Sequence, residues 1–254
     1  MKNSGLLKAL LGFSLALAMQ ACNLPSNAPS TTTGATAAAP APSGGACTNP
    51  LYPVAAGATW TYSVSGLATD TYTHTITAVR PDGFSDQDAF GSGATHTGEW
   101  KCDNGALIAL SPLSGPSSAI TANNMTATFT TSEMTGVTLP ASVKAGDTWT
   151  QDFTIEGTQS INGQDIAAKG KVTFACTGGP TESVTVAAGT FNAVRVDCKV
   201  DLAITVNLGG LPIPTNFSGN ITSWFAPDVG MVKMQGEIPN VGSSTLELTY
   251  YKLP

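Results

Sequence analysis

The chain has 254 residues, 42% of them hydrophobic and only 11% charged, with a formal net charge of -6. That charged share is less than half the roughly 25% of an average soluble domain; Thr, Ser, Gly and Ala fill the gap, as in exported β-proteins whose wet faces carry hydroxyls. There is no basic patch, which excludes nucleic acid as a partner.

Residues 1–21 have the three-part pattern of an export leader: Lys2 and Lys8, an apolar run from Ala9 to Met19, then small residues. The run is too short to span a bilayer. It ends in MQAC (19–22), which resembles a bacterial lipobox. On that pattern Cys22 receives a diacylglyceryl group, becomes the new N-terminus and anchors the chain in a membrane. Ala21 fits the position before the cysteine, whereas Met19 and Gln20 depart from the usual Leu and Ala or Ser. The competing reading is plain cleavage after Ala18, which leaves Cys22 as an odd thiol. Asn23 follows Cys22, without the Asp that retains lipoproteins at an inner membrane. The expected address is the outer membrane if the cell has one, and otherwise the outer face of the cytoplasmic membrane.

Residues 22–46 carry no charge and almost no large apolar side chain, so they cannot bury enough surface to offset chain entropy. They read as a disordered Ala/Pro/Ser/Thr tether, reaching about 25–30 Å as a flexible coil.

Residues 47–254 read as a β domain. VAAGATWT (54–61) and VKAGDTWT (143–150) match at six of eight positions, their tryptophans 89 residues apart, and VAAGTF (186–191) is a shorter echo. Each reads as a Gly-assisted turn with an aromatic opening the next strand. Two similar halves, 48–135 and 136–254, are one explanation, and local reuse of a good turn is the other. Period-two alternation marks strands near 60–64, 71–79, 95–102, 105–110, 125–131, 149–155, 171–176, 182–186, 220–225, 231–234 and 245–251. The longest runs from Gly189 to Val206. There Val194, Val196, Cys198, Val200, Leu202, Ile204 and Val206 alternate with Arg195, Asp197, Lys199 and Asp201 over much of its length. WFAPDVGMVK (224–233) reads as a hairpin turning at Pro227-Asp228, with Gly230 at positive φ. No segment sustains a helical period. About a dozen strands with short turns predict a curved antiparallel meander sheet or incomplete β-barrel.

Four cysteines remain in the domain. Cys176 shares the parity of Val172 and Phe174, and Cys198 faces the core of the longest strand. The expected disulfides are Cys176–Cys198, which requires 182–186 to be a small excursion, and Cys47–Cys102, locking the end of the tether onto the sheet. A metal site is the competing reading, but there is no CxxC and no histidine near either pair.

The chain holds two histidines. His74 shares a face with Tyr72 and Ile76, and His96 with Trp100, as satisfied core or rim residues do. The carboxylates of DGFSDQDAFG (82–91) miss the spacing of a calcium loop, and Asp86 and Asp88 read as a solvated strand or loop. Asp197 and Asp201 read as ion-pair partners of Arg195 and Lys199. Asp147 and Asp152 flank Trp149 without a third group to complete an acid–base set. No hydrolase, nucleotide or metallopeptidase motif is present. The expectation is a non-enzyme with no metal and no cofactor.

Three stretches resemble the TapB-like family of exported bacterial proteins of unknown function: PVAAGATWTY (53–62), VAAGTFNAVRV (186–196) and WFAPDVGMVK (224–233). The loop 206–217 has no counterpart in the resemblance. What the resemblance implies is a curved sheet similar to the β half-barrels of the LolA/LppX lipoprotein carriers, with no catalytic residue to carry over. The expected function is a non-catalytic binding domain whose concave face takes an apolar ligand, lined by Phe174, Val196, Val200 and Leu202. The alternative is a structural or protein-interaction module of the envelope that presents its Thr-rich faces or the 206–217 loop to a protein partner.

Overall fold

The computed structural model describes residues 46–254 except 111, 113–116, 123–124, 162–163 and 209. The leader (1–21) and all but the last residue of the tether (22–46) lie outside the described residues. Among the described residues there are thirteen strands and no helix. In chain order they are β1 (Thr59–Gly66), β2 (Asp70–Arg80), β3 (Gly83–Phe90), β4 (Thr95–Asp103), β5 (Ala106–Ala109), β6 (Ser117–Ala122) and β7 (Met125–Gly136). They continue as β8 (Thr148–Ile161), β9 (Gln164–Val186), β10 (Gly189–Leu208), β11 (Leu211–Ala226), β12 (Gly230–Ile238) and β13 (Gly242–Lys252).

All thirteen belong to one antiparallel meander sheet, β13 returns to pair with β1, and β3 pairs with β4, so the sheet curls nearly into a barrel. The join is thin. Strand β4 gives one edge to β3 and divides the other between β5 and β6, meeting β6 only through Thr95↔Thr121 and His96↔Ile120. The reason for curling is the alternation itself. On β1, Trp60, Tyr62 and Val64 are buried, while Thr59, Thr61 and Ser63 turn outward toward the threonines of β2. A sheet with one apolar face closes on that face to remove it from water.

On β10 the alternation holds from Val196 through Val200 and Leu202 to Ile204, all buried. It slips at its start, where Ala193 rather than Val194 is the buried residue. The slip is a bulge. Thr181 opposes Val194 and Gly178 opposes Val196, so Gly179 and Pro180 fall in the irregular stretch of β9 between them. Residues 182–186 are therefore no excursion: β9 is one strand of 23 residues carrying both segments. The 206–217 stretch is likewise not a loop. It extends the β10–β11 hairpin down to Leu208↔Leu211. Pro212 and Pro214 are tolerated because β12 pairs with β11 only from Asn220 onward, which leaves the proline segment at a sheet edge.

Cys47–Cys102 and Cys176–Cys198 are disulfide-bonded, and the second pair stands directly opposite in the β9–β10 ladder. The VAAGATWT and VKAGDTWT turns share one geometry. Ala58 N bonds Ala55 O and Asp147 N bonds Lys144 O, while Gly57 N and Gly146 N reach the neighbouring strand at Ile76 O and Gly178 O. Both glycines have positive φ. The third echo is different, since Ala187 and Ala188 make the tight β9–β10 hairpin.

Residues 47–58 lie across one end of the barrel. Asn49 Nδ2 donates to Gly105 O at 2.8 Å and to Pro140 O at 2.9 Å, and Asp228 N donates to Pro50 O at 2.9 Å. Leu51 and Tyr52 descend from this strap into the core among Trp60, Phe84 and Leu107. At the other end the long strands β8–β11 run past the shorter β1–β3 and β12–β13. A second apolar cluster forms there around Phe153, Val172, Val200, Leu202 and Ile204.

Candidate functional site

The barrel is not filled by its own side chains. A cavity of about 320 Å³ remains in the lumen under the strap, and a smaller hollow of about 160 Å³ shares Thr138, Phe174 and Cys198 with it. Its walls differ. Phe174 on β9, Val196 on β10, Ile221 and Phe225 on β11, and Met231 and Met234 on β12 make an apolar side. Facing them, Tyr72 and His74 on β2, Asp86 and Asp88 on β3, and Trp100 on β4 make a polar side, with Tyr52 of the strap above.

Strand pairing assembles the polar side. Asp88 stands opposite His74 on β2 and His96 on β4, so one inward carboxylate meets both histidines of the chain. Asp88 Oδ1 accepts from His74 Nδ1 at 2.7 Å and from the Tyr72 hydroxyl at 2.9 Å, and Oδ2 accepts from His96 Nδ1 at 3.1 Å. Burial alone would raise the Asp88 carboxyl, but the bonds from His74 and His96 and their charges hold it well below the usual carboxylate range. It is an anion. His74 is depressed by burial, yet the bond to Asp88 and the charges of Asp88 and Asp86 outweigh that and raise it above an ordinary histidine.

Asp86 is placed differently. It is 2% exposed, takes one bond, from Trp100 Nε1 at 2.6 Å on Oδ2, and has no partner on Oδ1. Burial raises its pKa and the neighbouring Asp88 charge adds to the rise, against the opposing pull of His74, Trp100 and His96. Opposite it in the β3–β4 ladder is Gly98, which has no side chain to cover it.

The Tyr52 hydroxyl lies 2.6 Å from His74 Nε2. Hydroxyl, imidazole and carboxylate thus follow in the order of a nucleophilic triad, but the chemistry differs. Burial pushes the Tyr52 phenol well above its normal value, with Asp86, Tyr62 and Asp88 adding to the rise. A phenol kept protonated is a hydrogen-bond donor and positioner, not an activated nucleophile. Among the described residues no three His, Cys, Asp or Glu side chains are placed to hold a metal ion.

Of the residues expected to line a ligand, Phe174 and Val196 face the cavity, whereas Val200 and Leu202 sit in the second apolar cluster beyond it. Asp86 and Asp88 are not the solvated strand or loop expected. They point inward with Phe84, which is 0% exposed, because the three share one parity on β3. The period-two spacing of Phe84, Asp86, Asp88 and Phe90 was the available signal. Tyr52 carried none, since only the strap brings it to His74. Arg195 and Lys199 pair on the outer surface with Asp197 and Asp201, each at 2.9 Å. Asp147 caps its own turn by accepting from Lys144 N, and Asp152 accepts from Thr173 Oγ1; neither reaches the lumen.

The DUF3108-like family model matches residues 57–236, and the chain belongs to that family. Three solved structures are similar in shape. A Bacteroides fragilis protein with a YmcC-like fold is 14% identical, with TM-score 0.47, over 80% of this chain and 98% of that one. A candidate lipoprotein of Parabacteroides distasonis is 17% identical, with TM-score 0.47, over 80% and 99%. The hypothetical lipoprotein YmcC of Escherichia coli is 10% identical, with TM-score 0.35, over 77% and 88%. No curated protein matches the chain.

Proposed function

We propose that this member of the DUF3108-like family is a membrane-tethered binding protein of the bacterial envelope that takes a small amphiphile into its barrel and performs no chemistry on it. The observation that carries this reading is the two-sided cavity of about 320 Å³, apolar along β9–β12 and hydrogen-bonding along β2–β4. Ligand sites of this kind combine a large apolar lining with a few converging polar groups of shifted pKa. Phe174 and Val196 line the apolar body. The tether is residues 22–46, held by lipid on Cys22 at the end of the MQAC lipobox, and its address is the outer membrane or, in a single-membrane cell, the outer face of the cytoplasmic membrane. Two of the three TapB-like stretches, 186–196 and 224–233, fall inside the family match, and a carrier role like that of the LolA/LppX barrels agrees with an unfilled lumen.

The alternative, an interaction module without a ligand, draws on the outer surface. There Thr128, Thr158, Ala167 and Asn207 line a shallow hollow on the strands that overrun the barrel. Native mass spectrometry separates the two. A Cys22→Ser chain, exported from the cell and free of lipid anchor, is weighed before and after solvent extraction. Extra mass on the order of a few hundred daltons, lost on extraction and regained from a cell lipid extract, is expected for a pocket of this size. A clean mass throughout, with no uptake from the extract, overturns the reading and leaves the interaction module. The wild-type chain should label with radioactive palmitate and the Cys22→Ser chain should not.

A further inference from the structure

We infer that the polar end of the lumen selects a cationic head group, so that the ligand is an amphiphilic amine: a protonated amino group on a compact apolar body. The inference rests on the lumen being a ligand site, and goes further by naming what it takes. Its first support is charge. Asp86 and Asp88 line the cavity, and no Lys or Arg does. Both histidines are bonded to Asp88, and the nearer of them, His74, comes no closer than 3.9 Å to Asp86, so Asp86 is the carboxylate without a hydrogen-bonded cation. A ligand carboxylate or phosphate would be repelled in a medium that screens poorly, whereas a cation would be drawn in.

The second support is the uneven satisfaction of the two carboxylates. Asp88 already accepts three hydrogen bonds and has nothing further to ask of a ligand. Asp86, only 2% exposed, has an oxygen with no donor from the protein. Its closest histidine nitrogen, His74 Nε2, is 3.9 Å from Oδ2 and is engaged by Tyr52. Buried acceptors are almost always paired in native proteins, so an orphan carboxylate oxygen at the edge of a cavity marks where a donor belongs. The position facing it on β4 is Gly98, so no side chain takes that place.

The third support is the ring lining. Tyr52 lies 5.8 Å from Trp60 and 6.1 Å from Trp100, centroid to centroid, and all three line the cavity beside Asp86. Aromatic faces around a carboxylate attract ammonium groups by cation–π interaction, which neither an alcohol nor an acid can match.

The test is a titration of the Cys22→Ser chain at pH 7 with decylamine, decanol and decanoate. The three share one apolar body and differ only in the head. Binding is followed by calorimetry and by the fluorescence of the cavity tryptophans. Decylamine should bind at least tenfold more tightly than decanol, and decanoate should not bind. Asp86→Asn should bring decylamine down to the affinity of decanol and leave decanol unchanged, which also shows that the variant is folded. Decanol or decanoate binding as well as the amine would overturn the amine inference and leave the lumen reading in place. An amine preference that survives in Asp86→Asn would remove Asp86 as its source and so overturn the assignment. Failure of all three ligands to bind would overturn the lumen reading, and this inference with it.

Discussion

Replacing Asp88 with Asn tests whether the buried polar cluster holds the barrel together as its geometry implies. Asp88 ties β2, β3 and β4 through His74, Tyr72 and His96, with side chains of His74 and Asp88 only 10% and 15% exposed. Hydrogen bonds to a charged partner contribute about 1.5–3 kcal/mol each. Asn keeps one accepting oxygen and nearly the same volume, so the net loss should be about 3 kcal/mol rather than the sum. For a domain of this size that is about 6–12 °C in Tm. The pH dependence is the sharper readout. Asp88 is depressed in the fold, so its contribution is complete above the ordinary aspartate value, about 4, and fades as pH falls below it. His74 is raised, so its contribution is complete below the ordinary histidine value, about 6.5, and fades as pH rises through the elevated one. The difference in unfolding free energy between wild type and Asp88→Asn, measured by urea titration from pH 3 to 9, should therefore peak between roughly pH 4 and 6.5. Parallel profiles, or a difference under about 1 kcal/mol throughout, would refute this account of the cluster.

Two further outcomes follow from the frame around the site. Removing Cys176–Cys198, which spans 22 residues, should cost about 3 kcal/mol by loop closure. Removing Cys47–Cys102, which spans 55, should cost about 4 kcal/mol. Urea midpoints of the Ser pairs that match wild type would count against both bonds as stabilisers. Gly230 has φ 105° and a Cβ added there would sit 3.2 Å from Trp60 Nε1, which donates to Val229 O at 2.6 Å. Gly230→Ala should lose about 2 kcal/mol or more, from backbone strain plus that hydrogen bond. Gly93, with φ 87° and nothing within 4 Å, should lose only about 1 kcal/mol as Ala. Equal shifts in thermal unfolding would show that the Trp60 contact plays no part.

The frame was far more legible in the sequence than the site. Strand β10 announces itself because Val196, Val200, Leu202 and Ile204 are buried while Arg195, Asp197, Lys199 and Asp201 pair on the outside. The 224–233 hairpin was readable because its turn chemistry is local: Asp228 and Gly230 both take positive φ as that turn requires. Strand β9 was divided into 171–176 and 182–186 because Gly178, Gly179 and Pro180 between them interrupt the period-two alternation. In three dimensions the neighbouring register shift absorbs the last two. The polar cluster stayed hidden for another reason. Carboxylates on a strand usually face water, and what reverses that for Asp86 and Asp88 is long-range partners: Trp100 for one, both histidines for the other. No local pattern encodes a meeting of Tyr52 with His74 across 22 residues.

The Cys47–Cys102 bond also decides how the molecule carries mechanical load. Tension on the chain ahead of Cys47 crosses the sulfur bridge straight into the end of β4 and travels on from Asp103. The 54 residues between the bridged positions form a slack loop that bears none of it. That loop contains the strap and β1–β3 and most of β4, and with them Tyr52, Tyr72, His74, Asp86, Asp88, His96 and Trp100. A tug that would otherwise peel Leu51 and Tyr52 out of the barrel mouth first, because they lie nearest the pulled end, leaves them seated. The cavity's polar wall is thereby isolated from forces on the chain ahead of Cys47 for as long as the bridge stays oxidised, and reduction of one bond exposes the whole wall to them.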